Sequence, residues 1–204
     1  MNGMRVLDQD ICDDLIRKRK QLGQDHHDEV WDGVYVMPSM PSLDHQDLVT
    51  DLVAIFWETV VLEHRGRVQP GANVSDRRVH WKQNFRVPDI VVALKNGQAV
   101  DCGTYWFGGP DFLVEIESPG DDTANKLPFY SEIRVRELLI IHRDSRKLTL
   151  LRHDGDELAE VAPVTFQGGK WLRSEVLPLA FRRKTGRPSH WRATFATWSG
   201  VAAA

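Results

Sequence analysis

The sequence has few cysteines and no long apolar run, and both features exclude several classes of protein. Only two of the 204 residues are cysteines. Cys12 and Cys102 belong to no CxxC pair, which speaks against a disulfide framework or a cysteine zinc site and favours a reducing compartment. No stretch approaches the roughly 18 apolar residues of a membrane span, and the N-terminus lacks a signal-peptide core. We therefore expect a cytoplasmic protein with no membrane partner.

The chain also lacks a strong net charge of either sign. Its 26 basic and 29 acidic residues give a net charge of -3, which by itself offers no electrostatic case for a nucleic-acid binder. The charge is unevenly distributed, however. Five basic residues and no acid lie between Arg182 and Arg192, so residues 1–181 carry 21 basic against 29 acidic residues. An acidic body with a net charge of -8 therefore precedes a basic end.

Apolar periodicity predicts two helices in the first third of the chain. Residues 8–22 fit a short helix with Leu15 and Ile16 facing inward. Residues 45–63 fit a long amphipathic helix, for which Asp44 is a plausible N-cap.

Short β-prone runs predict a mixed sheet. Asp32-Gly33 has the spacing of a two-residue hairpin turn within residues 30–37. Three later runs, 67–74, 78–84 and 87–94, predict an antiparallel meander. They are followed by a buried strand (111–117), a helix from about 126 to 133 and a second buried strand (136–142). A further hairpin is predicted around 154–155. The strand, helix and strand make a crossover. We expect an α/β (α+β) domain, with a mixed sheet between the long helix and the crossover helix and with added hairpins.

Carboxylates within the most apolar strands are the unusual feature of this sequence. Asp89 heads one such strand, and Glu115 interrupts another. A carboxylate in a buried strand must be paired, protonated or bound to a metal, because desolvating it alone costs several kcal/mol. Strand alternation also places Asp111, Glu115 and Glu117 on one face. Acids from two strands form an oxygen cage suited to Mg²⁺. A wet sheet edge or an arginine partner for Glu115 is the open alternative.

Three further side chains can reach these acids. Lys126 and Tyr130 are four residues apart and share a helix face, so Lys126 could bring an ammonium group to the acid cluster. A solvated lysine is the alternative, because most lysines are exposed. His45 shares the apolar stripe of the long helix and faces the body of the protein; the alternative is a partly buried, hydrogen-bonded histidine.

An ordered series of segments resembles one protein family. The segments are DEVWDGVYVMPSMPSLDHQDLV, RVPDIVVAL, GPDFLVEIESPGDD, KLPFY and VRELLIIH. They resemble the Uma2 family, also called DUF820, a bacterial group of proposed endonucleases in the PD-(D/E)XK, or restriction-endonuclease-like, superfamily. The resemblance spans about residues 27–182, which leaves 1–26 as an N-terminal extension and 183–204 as a basic C-terminal tail. It implies a restriction-endonuclease-like core that uses Mg²⁺ or Mn²⁺ to hydrolyse the phosphodiester bonds of nucleic acid. DNA is the expected substrate.

The resemblance also implies a role for individual residues. Asp89 matches the metal-binding aspartate after the proline, and Glu115 matches the acid that would be the second metal ligand. The carbonyl of Ile116 would be a third ligand. Lys126 matches a lysine that replaces the one normally two residues after the acid. His45 matches a histidine at the beginning of the long helix and is expected to take part in catalysis.

The chain departs from the superfamily pattern at position 117, which carries an acid in place of the expected lysine. Glu117 would be an extra metal ligand or a partner of Lys126. Pro128 is also unusual in its helix. Both departures favour an alternative, a catalytically silent binding or scaffold protein with the nuclease fold. A metal-dependent hydrolase of small phosphoesters also stays open, because the metal chemistry is shared.

The expected partners follow from the same reasoning. An enzyme that cuts both strands with one site per chain needs two copies or two encounters, so a homodimer is a reasonable expectation. The basic tail either grips a phosphate backbone through counterion release or is a solvated end.

Overall fold

The computed structural model describes residues 4–5, 9–118, 120–121, 123–166, 168–183 and 194–197. Within these ranges the α-helices are α1 (Gln9–Gln21), α2 (Leu43–Phe56) and α3 (Thr123–Glu132). A π-helical turn, Trp57–Val61, continues α2, and a 3-10 turn covers Trp81–Gln83. None of the described helices has the length and apolar character needed to cross a membrane.

The strands of the described ranges are numbered in chain order. They are β1 (Met4–Arg5), β2 (Glu29–Trp31), β3 (Val34–Met37), β4 (Gly66–Pro70), β5 (Val74–Ser75), β6 (Phe85–Arg86), β7 (Ile90–Leu94), β8 (Val100–Asp101), β9 (Trp106–Phe107), β10 (Phe112–Glu117), β11 (Glu137–His142), β12 (Leu148–His153), β13 (Leu158–Glu160), β14 (Val164–Phe166), β15 (Gly169–Arg173), β16 (Leu179–Arg182) and β17 (Thr194–Thr197).

These strands form three groups. A six-stranded sheet has the order β13-β12-β11-β10-β7-β4, and a seven-stranded sheet has the order β1-β3-β2-β6-β5-β9-β8. Strands β14 to β17 follow one another in a third, antiparallel group. In the six-stranded sheet β10 and β11 run parallel and are joined through α3. The predicted mixed sheet and its strand-helix-strand unit are therefore confirmed.

Strand β10 lies inside the six-stranded sheet, and both of its faces are covered. Phe112, Val114 and Ile116 pack with Phe56 of α2 in one apolar cluster. Leu113 belongs to a second cluster, which α3 covers from the other side. The side chains of β10 therefore alternate as the sequence predicts, and the odd-numbered positions face α3.

Helix α1 packs against the β2–β3 hairpin. Leu15 and Ile16 face the hairpin, as predicted, and contact the cluster that contains Tyr35. The buried carboxylate of Asp28 accepts hydrogen bonds from the phenol of Tyr35 and from two guanidinium nitrogens of Arg19. The N-terminal helix is thus held by apolar contacts and by a buried ion pair.

Three local predictions need correction. The N-cap of α2 is Ser42, whose Oγ accepts the N–H of His45, and Asp44 lies in the first turn instead. Serine and aspartate are both good caps, so composition alone does not separate them. Helix α3 begins at Thr123, earlier than expected, and contains Pro128 in its interior. Residues 78–84 are not a strand, because a 3-10 turn occupies their centre.

A short part of the predicted C-terminal tail lies within the described residues. Strand β17 pairs with β16 in antiparallel register, so residues 194–197 belong to a sheet. Most of the basic stretch, residues 184–193, lies outside the described residues.

Candidate active site

Four of the predicted site residues line one cavity of about 610 Å³. They are His45 at the start of α2, Asp89 just before β7, Glu115 on β10 and Lys126 on α3. The crossover places α3 over the face of β10 that carries the odd-numbered side chains. Elements that are remote in sequence therefore converge on one acidic cavity.

Glu115 is held by two side chains from one face of α3. The ammonium of Lys126 lies 3.1 Å from Oε1 and 3.3 Å from Oε2 of Glu115. The phenol of Tyr130 donates to Oε1 at 2.5 Å. The four-residue spacing of Lys126 and Tyr130 is the reason that both reach the same carboxylate. Glu115 is therefore buried and not at a wet sheet edge, and its charged partner is a lysine and not an arginine.

Glu29 is a further carboxylate of the site and is buried on β2, and the sequence predicted no role for it. Its Oε1 lies 2.9 Å from Nζ of Lys126 and accepts the N–H of Val87 at 2.8 Å. Its Oε2 accepts the indole N–H of Trp31 at 2.6 Å. The available signal was an acid at the start of a short β-prone run, directly before the hairpin turn.

Asp89 is fixed by two different donors. Its Oδ1 lies 2.8 Å from Nε2 of His45, and its Oδ2 accepts the backbone N–H of Ile116 at 2.6 Å. The second bond joins the start of β7 to the residue after Glu115, so the two predicted metal ligands are held side by side. The histidine is thus a buried group that is hydrogen-bonded to a site carboxylate.

The charges of the site are not balanced. Two carboxylates, those of Glu29 and Glu115, contact the ammonium of Lys126, and the charge of Asp89 also acts on it. Burial raises the pKa of Glu115, the ammonium lowers it, and the charges of Asp89 and Glu29 raise it again, to about 8. Burial by itself lowers the pKa of Lys126, but the neighbouring carboxylates outweigh burial and raise it. The site therefore holds excess negative potential, which an added cation would relieve.

The donor set suits a hard divalent cation. Within the described residues, no group of three or more His, Cys, Asp or Glu side chains is arranged to hold a metal ion. Mg²⁺, however, is commonly bound through one or two carboxylates while it keeps several waters. Asp89 and Glu115 supply two such carboxylates on the cavity wall. Burial raises the pKa of Glu115 most, and the charge of Asp89 raises it further. The residues present therefore fit Mg²⁺ or Mn²⁺.

Two other acids of the β10 segment lie apart from this cluster. Asp111 is fully buried and accepts hydrogen bonds from the backbone N–H of Leu94 and from Arg136. These contacts hold the start of β10 to β7 and give Asp111 a structural role. Glu117 is partly exposed at the end of β10 and is not among the side chains that line the cavity. The structure brings together the other four predicted residues without Glu117, whose metal-ligand role stays a prediction.

A cation and two hydroxyl groups lie at the rim of the cavity. The guanidinium of Arg143 lies 3.3 Å from Oγ of Ser118 and 3.5 Å from Oγ of Ser42, the N-cap of α2. Its Nε also donates to Asp144. Arg143 and Ser118 line the cavity together with Asp89 and Glu115. Groups that donate to anions therefore lie beside groups that attract cations.

Comparison with known proteins shows the fold class and the family of this chain. In fold the chain is similar to "a putative nuclease belonging to DUF820 from Anabaena variabilis ATCC 29413", with a TM-score of 0.54 and 18% identity over 68% of this chain and 80% of that chain. Together with the mixed α+β architecture, this match identifies a nuclease-like fold. The family model Uma2, described as "Putative restriction endonuclease", matches residues 13–186. The chain belongs to the Uma2 family, as the resemblance indicated. No curated protein matches it.

Proposed function

We propose that this protein is a metal-dependent endonuclease that hydrolyses phosphodiester bonds of nucleic acid, with DNA as its substrate. One observation carries the proposal: Asp89, Glu115 and Lys126 share a cavity in which the carboxylates outnumber the ammonium group. Two carboxylates can hold a divalent cation for phosphodiester hydrolysis, and an ammonium group can stabilise the charge that develops. Membership of a family described as "Putative restriction endonuclease" supports the same reaction class.

Asp89 and Glu115 would hold the cation, which we propose to be Mg²⁺ or Mn²⁺. When bound, the cation supplies positive charge that makes a water molecule more acidic and offsets the charge of the phosphate. The hydrogen bonds from His45 and from the backbone of Ile116 orient Asp89 before substrate arrives. A site that is oriented in advance needs less reorganisation during the reaction.

Lys126 contributes the second element of the mechanism. Its ammonium lies between Glu29 and Glu115, and its raised pKa keeps it charged at neutral pH. We propose that it donates a hydrogen bond to the attacking water and stabilises the negative charge that develops on the phosphoryl oxygens. The water oxygen bonds to phosphorus as the ester bond breaks, the water gives up a proton, and the leaving oxygen takes one up.

Arg143 explains how an acidic cavity could accept an anionic substrate. Its guanidinium stands at the rim beside the hydroxyls of Ser42 and Ser118. Arginine offers several donors in a geometry that matches phosphate oxygens. We propose that a phosphate next to the scissile one binds there, so that the polymer enters the site from the Arg143 side.

A cleavage assay tests the enzymatic proposal. The purified chain is incubated with supercoiled plasmid, single-stranded DNA or RNA, in Mg²⁺ or Mn²⁺. We expect nicking or cleavage of DNA that falls by at least about 100-fold in Asp89→Asn and Glu115→Gln, the scale seen when one charge-stabilising group is removed. Glu160→Gln, on the exposed face of β13, is the matched control and should cleave normally. Activity on none of the substrates with either metal contradicts the proposal.

Metal binding separates the enzyme from the catalytically silent scaffold. Calorimetric titration with Mn²⁺ should show micromolar binding that Asp89→Asn abolishes. Glu117→Gln tests the predicted role of Glu117 as an extra ligand, because Glu117 does not line the cavity. A change in Mn²⁺ affinity of less than about threefold, a free-energy change below roughly 1 kcal/mol, contradicts that role. Absence of Mn²⁺ binding supports the scaffold, whereas hydrolysis of small model esters without cleavage of polymers supports a phosphoesterase.

The proposed enzyme has one site per chain, so cutting both strands calls for two copies or two encounters. We propose a homodimer. Sedimentation equilibrium with and without duplex DNA measures the oligomeric state, and a monomer under both conditions contradicts this proposal.

A further inference from the structure

The loop between β5 and β6 is rich in basic residues, although the body of the chain is acidic. Residues 76–84, which we call the β5–β6 loop, contain Arg77, Arg78 and Lys82 and a single acid, Asp76. His80 adds a further group that can take up a proton. Arg78, His80 and Lys82 are exposed. In a body with a net charge of -8, such a stretch attracts polyanions only locally.

Aromatic rings hold the exposed cations of this loop. The guanidinium of Arg78 lies 4.6 Å from the ring centroid of Phe107, and the ammonium of Lys82 lies 5.7 Å from that of Trp81. Trp81 in turn stacks on Tyr105 at 4.6 Å with an interplanar angle of 14°. Cation-π contacts of this kind limit the freedom of the side chain while the charge stays in water. The charges are therefore partly ordered before any ligand binds.

These two cations are also not neutralised. In the described ranges, no carboxylate forms an ion pair with Arg78 or Lys82, whereas Arg77 contacts Asp32 at 3.1 Å and Asp76 at 3.6 Å. An ion pair must be broken before a phosphate can bind, and an unpaired cation avoids that cost. Arg78 and Lys82 are therefore the available anion contacts of the loop.

The loop is attached to the hairpin that forms one wall of the cavity. Arg77 pairs with Asp32 at the hairpin turn, and Gly33 donates its N–H to the carbonyl of Gln83. Asp32 directly follows Trp31, which lines the cavity. A polymer whose scissile bond lies in the cavity can therefore continue over the hairpin to the loop.

We infer that the β5–β6 loop is a docking surface for the sugar-phosphate backbone of nucleic acid, in which Arg78 and Lys82 contact successive phosphates outside the cavity. The inference rests on the proposed function, and it names the surface that would hold the polymer. Contacts to the backbone are independent of sequence. The loop therefore contributes affinity and direction to binding without selecting a sequence.

Salt-dependent binding tests the inference. Fluorescence anisotropy with a labelled DNA duplex in EDTA, where no cleavage occurs, gives the affinity over a series of NaCl concentrations. Each phosphate contact contributes about 0.9 to the slope of log K against log salt. We expect Arg78→Gln with Lys82→Gln to lower this slope by about 1.8. The control is Lys18→Gln with Lys20→Gln, which removes the same charge from exposed positions on α1 and should leave the slope unchanged.

The possible results separate this inference from the proposed function. A slope that is unchanged in the loop variant, an equal loss in the control, or no DNA binding by the unmodified chain overturns the inference. If Mg²⁺-dependent cleavage is seen together with an unchanged slope, the inference fails and the proposed function stands. If the slope falls as expected but no cleavage occurs, the docking surface stands and the enzymatic proposal fails.

Discussion

Lys126 on α3 lies 2.9 Å from the carboxylate of Glu29 on β2. The contact joins the six-stranded sheet, through its crossover helix, to the hairpin of the seven-stranded sheet. Glu115 contacts the same ammonium from β10. The lysine is therefore fixed from two sides, and its position depends on an acid that is not one of the proposed metal ligands.

Glu29→Gln should slow cleavage without removing metal binding. Because the charge of Glu29 raises the pKa of Lys126, its loss should lower that pKa and loosen the ammonium. We expect kcat to fall by about 10-fold to 100-fold, the range of one weakened charge-assisted contact, with Mn²⁺ affinity preserved. The basic limb of the pH-rate profile should move to lower pH. An unchanged kcat together with an unchanged pH profile would show that Glu29 is only a packing residue.

Glu115→Gln should stabilise the metal-free protein at neutral and basic pH. The pKa of Glu115 rises from 4.5 to about 8 on folding, first because of burial. The folded state therefore holds a proton that the unfolded state has lost between these values, and the unmodified protein loses stability as pH rises through that window. We expect the variant to be more stable by about 1 kcal/mol or more at pH 8, since each pKa unit corresponds to about 1.4 kcal/mol. Urea unfolding in EDTA measures this. If the variant and the unmodified protein are equally stable at every pH between 4.5 and about 8, the pKa of Glu115 is not raised as stated.

Asp111→Ala should affect folding and leave the metal site intact. The fully buried carboxylate satisfies the N–H of Leu94 and pairs with Arg136. Removing it leaves a buried donor without its acceptor, which costs about 1–3 kcal/mol. We expect the free energy of unfolding to fall by this amount while calorimetric Mn²⁺ affinity stays the same. Loss of Mn²⁺ binding in a folded variant would instead make Asp111 part of the metal site.

Pro128→Ala should stabilise the protein and preserve cleavage. Proline has no backbone N–H, so position 128 cannot donate to the carbonyl of Ala124 within α3. A proline in a helix interior costs about 3 kcal/mol relative to alanine, and we expect a smaller cost here because Pro128 lies soon after the first turn of α3. We expect a gain of about 1 kcal/mol in urea unfolding and an unchanged kcat, because Lys126 and Tyr130 already reach Glu115. A large loss of kcat would show that Pro128 shapes the site.

Substituting the basic residues of the tail distinguishes a tail that binds the phosphate backbone from a solvated end. Deleting residues 183–204 would also remove β17, which pairs with β16, so substitution is the cleaner test. We expect the triple variant Arg183→Gln, Lys184→Gln and Arg187→Gln to leave the salt slope of DNA binding unchanged, as for a solvated end. A slope that falls by about 2.7, the value for three lost phosphate contacts, would instead show that the tail grips the backbone.

The sequence determined the relationships that lie within single elements. Alternation in β10 correctly placed Glu115 on the face opposite Phe112, Val114 and Ile116. The four-residue spacing of Lys126 and Tyr130 correctly placed both on one face of α3. These predictions succeed because strand and helix periods are local properties of the backbone.

Only the tertiary structure decided which of these faces meet. The packing of α3 over β10 brought Lys126 to Glu115, and the hairpin added Glu29, for which the sequence predicted no role. It left Glu117 outside the cavity, although alternation gives this acid the same face as Glu115. The periodicity of an element fixes the direction of a side chain, but the distance between two side chains depends on how remote elements pack. The sequence therefore named most members of the acid cluster, and the fold decided which of them surround the lysine.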